Sequence, residues 1–358
     1  MNKKEKETFL ELCKFCATSD RNLKNLIEKG YATSEVLGEL FANRMAGAAY
    51  GTLKETDLLQ KTNREFRNSL YYSFIVNKKI NEDYAGCVNF VTQTLEACGA
   101  RYALLKGAYL CFWYPKGYRI SNDIDILVAP EDVGKVSASL KLAGFKQGEV
   151  KNGVFIPATR EQIIESKMTR GETVPFIKEI KLPYIKHLEV DLNFSLDYKN
   201  GNDNVLKEML SRTRLVELGS VKMRTLDPVD FLLHLCVHLY KEATTMPWIR
   251  MKRDMTLYKY CDIYAMLNNF NGDFESLLER AKANSMEKEL SYCINSVQSL
   301  FAVKYDIFAD LLSNDYSLDD VVSPREKKIY RYRESDPVKR FFSKDRTKLL
   351  EETGKCVL

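Results

Sequence analysis

Over the first hundred residues apolar positions recur at helical spacing. Phe9, Leu10, Leu12, Cys13 and Cys16 form one such stripe, Val88, Val91, Leu95 and Cys98 form another, and Gly99 is placed to stop the second helix. The texture changes at Arg101-Tyr-Ala-Leu-Leu-Lys106, a short apolar run closed by Gly107. A helix-like stretch to Tyr114 and a turn-rich segment over 115–122 follow. Asp123-Ile-Asp-Ile-Leu-Val128 alternates acidic and apolar residues and predicts a strand. Residues 131–143 predict a helix ended by Gly144, and 145–194 hold several β-like runs, cleanest over 177–182 and 187–194. From Asp203 onward the pattern reads as mostly helical, notably over 228–243, 254–268 and 286–302. The expected architecture is α+β. A small mixed β-sheet core over 99–200 is flanked by an N-terminal helical region, 1–98, and a C-terminal helical domain, 201–322, with a basic tail over 323–358.

Composition agrees with a folded chain. The 358 residues are 45% hydrophobic and 29% charged, enough to bury a core and to exclude wholesale disorder. No run approaches the roughly 18 apolar residues of a membrane span, and Met-Asn-Lys-Lys-Glu-Lys lacks the apolar centre of a secretory leader. The expectation is a soluble, cytoplasmic protein with no membrane partner. Nine cysteines, an odd number in mostly apolar helical contexts, then read as free or buried thiols. Cys13 and Cys16 make a C-x-x-C with no second pair at zinc spacing, and Cys356 is followed by two residues, one short of a prenylation box.

Net charge is only +5, yet it has an address. Residues 325–355 contain eleven basic and six acidic side chains, a surplus equal to that of the whole chain. With Tyr330, Tyr332, Phe341 and Phe342 interleaved, this tail reads as a solvated helical end or a modest contact for RNA or an acidic partner.

The chemistry concentrates elsewhere. On a strand, residues two apart share a face, so Asp123 and Asp125 project together, with Cα atoms roughly 6.6 Å apart. Two such carboxylates can converge on a pair of divalent ions about 4 Å apart, which also relieves their repulsion. In 187–194 one face carries His187, Glu189, Asp191 and Asn193, and the other Leu188, Val190, Leu192 and Phe194. That polar face is a solvent surface or the wall of a cleft. The acidic pair upstream favours the cleft.

Leu105-Lys-Gly-Ala108, Arg119, Asn122-Asp-Ile-Asp-Ile-Leu-Val128, Val190-Asp-Leu192 and the helix beginning Asp227-Pro-Val-Asp230 together resemble a bacterial nucleotidyltransferase family of the DNA polymerase β-like superfamily. The resemblance covers about 85–270. It implies that Lys106 and Gly107 form a phosphate-cradling turn and that Asp123 and Asp125 hold two Mg²⁺ ions. Asp191 then ligates the catalytic metal and helps deprotonate an attacking hydroxyl, and Lys106 and Arg119 meet phosphate charge. The implied reaction transfers NMP from an NTP, ATP among them, to a hydroxyl or phosphate acceptor with release of pyrophosphate. The acceptor is a small molecule, a peptide or protein, or an RNA.

Three departures touch substrate positioning. Ala108 stands where the superfamily has Ser or Gly, the gap from Ala108 to Asp123 is long, and Asn193-Phe194 replaces His-Trp. Glu189 shares the face of Asp191 and competes with it as third ligand; Asp191 is preferred.

Other features have plainer readings. His234 and His238 share a helical face, as cleft-lining groups that meet a nucleotide or as ligands of a metallohydrolase, and Asp262 comes near as a third ligand. Trp248 with Arg250, Lys252 and Arg253 is either a base-stacking loop or a solvated linker. A non-catalytic binding protein that keeps the fold is the remaining alternative, with Ala108 and Asn193 as its marks.

Overall fold

The computed structural model describes residues 1–14, 21–169, 171–196 and 203–355. Two compact units are each assembled from separate stretches of chain. The first takes Met1–Met45, Thr52–Phe66 and Leu232–Leu358, and the second takes Ala46–Gly51 and Arg67–Phe231. The divisions read from the sequence mark changes of element type, whereas these units are discontinuous.

The second unit is built on one mixed sheet. Its strands are β1 (Tyr102–Leu104), β2 (Asp123–Val128), β3 (Lys146–Lys151), β4 (Val154–Pro157), β5 (Phe176–Glu179), β6 (His187–Asn193), β7 (Arg214–Leu218) and β8 (Val221–Thr225). Their order is β4-β3-β5-β6-β2-β1-β8-β7, with β2/β6 and β1/β8 parallel and the other pairs antiparallel. The expected small sheet is therefore corrected to eight strands. The hairpin β7–β8 lies in the stretch read as helical, yet Val221, Met223 and Thr225 of β8 are buried alternately, and Gly219 supplies the positive φ of +61° that its tight turn requires.

The face of the sheet away from the acidic residues is apolar. Ile124, Ile126, Leu188, Val190 and Leu192 are at most 1% exposed, and each such side chain contributes about 1.5–3 kcal/mol by burial. Lys178 extends its ammonium over the stacked rings of Phe90 and Phe145 on this side. Phe90 belongs to the helix Arg64–Cys98, whose Val88, Val91 and Leu95 are fully buried, as their spacing predicts.

The first unit is mainly helical, including Lys3–Leu12, Ser34–Ala42, Leu257–Asn268 and Glu287–Phe301, and contains most of Pro228–Ala243. Its last residues correct the reading of a solvated helical tail. β9 (Asp320–Ser323), β10 (Lys328–Tyr332) and β11 (Leu350–Lys355) form an antiparallel sheet in the order β11-β10-β9. Val321 and Tyr332 are buried with Met246 and Ile249. Acidic partners from outside the basic stretch meet several of its charges: Asp320 holds Arg331 at 2.7 Å, Asp319 holds Arg340 at 2.8 Å, and Asp254 holds Arg346 at 2.6 Å.

Cys13, Cys87, Cys98, Cys111, Cys236, Cys261 and Cys293 are free thiols, while Cys16 and Cys356 lie outside the described residues. Among the described residues no helix is long and apolar enough to cross a membrane.

Candidate functional site

Strand register assembles the site. β2 and β6 run parallel with Asp123 opposite Glu189 and Asp125 opposite Asp191. Directly paired residues point to the same face about 4.8 Å apart, so four carboxylates stand as a two-by-two block on one side of the sheet. Like charges opposed in this way are destabilising unless something neutralises them.

One neutralising group comes from the turn after β1. Lys106 Nζ lies 2.8 Å from Asp125 Oδ1, and Asp125 is only 8% exposed. Lys106 reaches it from a strained backbone, φ +44° and ψ −117°, immediately before the helix Gly107–Trp113. Gly107 is needed for a reason that the sequence hid, because a Cβ there would stand 2.2 Å from Ser121 Oγ. Ser121 donates to Asp123 Oδ1 at 2.8 Å and so couples the lysine turn to the first carboxylate.

Burial pushes the Asp191 carboxyl well above its ordinary range, and Asp125, Asp123, Glu189 and Glu172 add to the rise. Glu189 is raised as well, first by burial and then by Asp123 and Asp125. Glu172 escaped the sequence reading because it lies outside the strand motifs. An antiparallel bridge to Asn193 brings it to the end of β6. The only available signal was its charge.

These shifts fix a sign. An acid whose folded pKa is raised contributes stability below its unfolded value near 4, and that contribution is lost as pH rises through the folded value. Asp191→Asn is therefore expected to make the metal-free protein more stable at pH 7, by about 0.5–1 kcal/mol, the scale of a relieved cross-strand repulsion. Thermal melts of both proteins at pH 4 and pH 7 check this; a gain that does not grow with pH contradicts it.

Arg119 is 9% exposed, and its Nη1 donates to the neighbouring Ile120 carbonyl oxygen. His234 and His238 belong to the first unit, with ring centroids 6.3 Å apart. His238 Nε2 stands 3.4 Å from Glu242 Oε1, and Lys259 pairs with the other oxygen of the same carboxylate. Burial works to raise Glu242, but His238 and Lys259 outweigh it and hold the group well below the usual carboxylate range. Trp248 lies on the short helix Met246–Arg250 beneath the ammonium of Lys259, and Arg250 pairs with Glu326.

A sequence profile described as "Uncharacterised nucleotidyltransferase" matches residues 33–302. The chain belongs to that nucleotidyltransferase family. The match spans β1 to β8 and so includes all four carboxylates of the block as well as Lys106. A crystal structure of an antigenic nucleotidyltransferase-like protein from Paracoccidioides brasiliensis is 14% identical, with a TM-score of 0.30, over 55% of this chain and 92% of that one. No curated protein matches the chain significantly.

For a member of this family the donor set can be tested against a divalent cation. The carboxylates supply only hard oxygen ligands, the set preferred by Mg²⁺. Among the described residues no three His, Cys, Asp or Glu side chains are arranged to hold a metal ion as they stand, and Lys106 occupies one oxygen of Asp125. The chemistry fits, with the Lys106 ammonium as the group that a cation would displace.

Proposed function

We propose that the chain is a Mg²⁺-dependent nucleotidyltransferase with a polymerase β-like site, transferring NMP from an NTP to a hydroxyl or phosphate acceptor with release of pyrophosphate. The observation that carries this reading is the register of β2 on β6, which sets Asp123 beside Glu189 and Asp125 beside Asp191, with Lys106 on Asp125.

Asp123, Asp125 and Asp191 would hold the metal ions, whose chemistry is to neutralise charge on the reacting phosphates. The chain's own groups do the rest. Asp191, opposite Asp125 in the block, is the acceptor for the hydroxyl proton. Once displaced from Asp125, Lys106 is a mobile point charge for the pyrophosphate, and Ser121 keeps the Asp123 carboxylate in one orientation. Glu189, opposite Asp123, is placed to tune the site beside the ligands.

A thermal-shift screen of ATP, GTP, CTP and UTP, each with and without Mg²⁺, tests the proposal and the base preference together. The expected result is stabilisation by at least one NTP only when Mg²⁺ is present. A bound ligand at a hundred times its Kd stabilises by about 2.7 kcal/mol, well within what a melt resolves. A flat panel would replace the enzyme by a non-catalytic member of the fold.

A further inference from the structure

The helix Arg64–Cys98 carries polar side chains that a solvated face does not explain. Asn77, Asn81 and Tyr84 lie at i, i+4 and i+7, hence on one face, and are 8%, 2% and 0% exposed. Each is spent on the same segment of chain. Asn77 Nδ2 donates to Gly117 O at 3.1 Å. Asn81 Oδ1 accepts from Gly117 N at 2.9 Å while its Nδ2 donates to Arg119 O at 2.9 Å, and Tyr84 Oη donates to Asp123 O at 2.5 Å. Buried amides are retained where they satisfy other buried polar groups, and here those groups are the backbone leading into β2.

The segment is gripped from a second side by the helix Ala46–Glu55. A Cβ at Gly47 would stand 2.1 Å from Gly117 O, and one at Gly51 would meet the Tyr118 ring at 2.1 Å. Gly117 itself has φ +96°, a conformation that favours glycine. The loop is thus held at Gly117, Tyr118 and Arg119, two residues before Ser121 fixes the Asp123 carboxylate.

We infer that Asn81, supported by Asn77 and Tyr84, is a positioning residue that sets where the Asp123 carboxylate stands in the metal-binding block. This rests on the proposed role of Asp123 and extends it to a helix that meets Asp123 at its backbone carbonyl. Displacements of about 1 Å at such a site are enough to cost about a hundredfold in function.

The test titrates the full chain with Mn²⁺ alone, followed by electron paramagnetic resonance well below the melting temperature. Asn81→Ala is expected to bind Mn²⁺ about tenfold more weakly than the natural protein, a fraction of that cost. Val88→Ala, a buried apolar truncation on the same helix, controls for stability loss and is expected to leave Mn²⁺ affinity unchanged. Asn77→Ala removes only the donor to Gly117 O. It is expected to be intermediate, and it carries the test if Asn81→Ala does not fold. Unchanged affinity in both the Asn81 and Asn77 variants overturns the inference, as does an equal loss in Val88→Ala. If Asp123→Ala and the natural protein bind Mn²⁺ alike, the metal role of Asp123 fails instead, which separates the two claims.

Discussion

Asp125→Asn is expected to lower nucleotidyl transfer on the order of 10³-fold, the scale of removing one preorganised electrostatic group from a closed site. Among the four carboxylates Asp125 has the most to lose. It is 8% exposed, stands opposite Asp191, and accepts the Lys106 ammonium at 2.8 Å. The amide is nearly isosteric and still offers Lys106 an oxygen, so the fold is expected to survive. Pyrophosphate released from the NTP that the screen selects, read beside a thermal melt, separates lost chemistry from lost structure. Full release by the variant would remove Asp125 from the mechanism.

A second large effect is expected far from that chemistry. In the first unit Arg346 grips Asp254 with both arms of its guanidinium, Nε to Oδ2 at 2.6 Å and Nη2 to Oδ1 at 2.7 Å. The Asp254 side chain is fully buried and that of Arg346 is 11% exposed. Arg346→Ala leaves a carboxylate in the interior without its counter-charge, a change that costs about 3–5 kcal/mol. The expected fall in Tm is about 10 °C. Arg346→Lys keeps the charge and loses the fork, so its fall should be smaller. A melt of Arg346→Ala within a degree of the natural protein would show that water reaches Asp254 freely.

The helices of the first hundred residues and the strand β2 were legible because their periods of 3.6 and 2 appear directly in the order of residues. Asp123 and Asp125 were legible for the same reason. Their pairing with Glu189 and Asp191 was not, since register between strands 66 residues apart is a tertiary fact; it also keeps Glu189 in the site as a neighbour that the motif alone cannot assign. β7 and β8 were lost because five-residue alternations are short enough to be absorbed into a helical reading of their surroundings. β9 to β11 were lost because Arg331 of β10, and Arg340 and Arg346 between β10 and β11, look solvated until Asp320 of β9, Asp319 and Asp254 pair with them. Asn77 and Asn81 were illegible for a related reason. A polar residue on a helix implies a wet face, and only the folded loop at Gly117 shows otherwise.

The discontinuity of the two units bears on how the chain can be made. Phe9 stacks on Phe341 with ring centroids 6.0 Å apart, the Leu257 N–H donates to Asn43 Oδ1 at 2.9 Å, and the Cys261 thiol donates to the Cys13 carbonyl. The helices ahead of Ala46 pack on one another, Lys3–Leu12 against Arg21–Glu28 and Ser34–Ala42, but these further contacts wait until the segments beyond Leu232 follow. At about 5–20 residues per second that interval is on the order of half a minute. During it the stretch from Ala46 to Phe231 is already complete and can close its sheet, while Phe9 and Cys13 still lack their partners from beyond Leu232. The strands that carry the carboxylate block can thus pair before the segments flanking them in sequence have met one another.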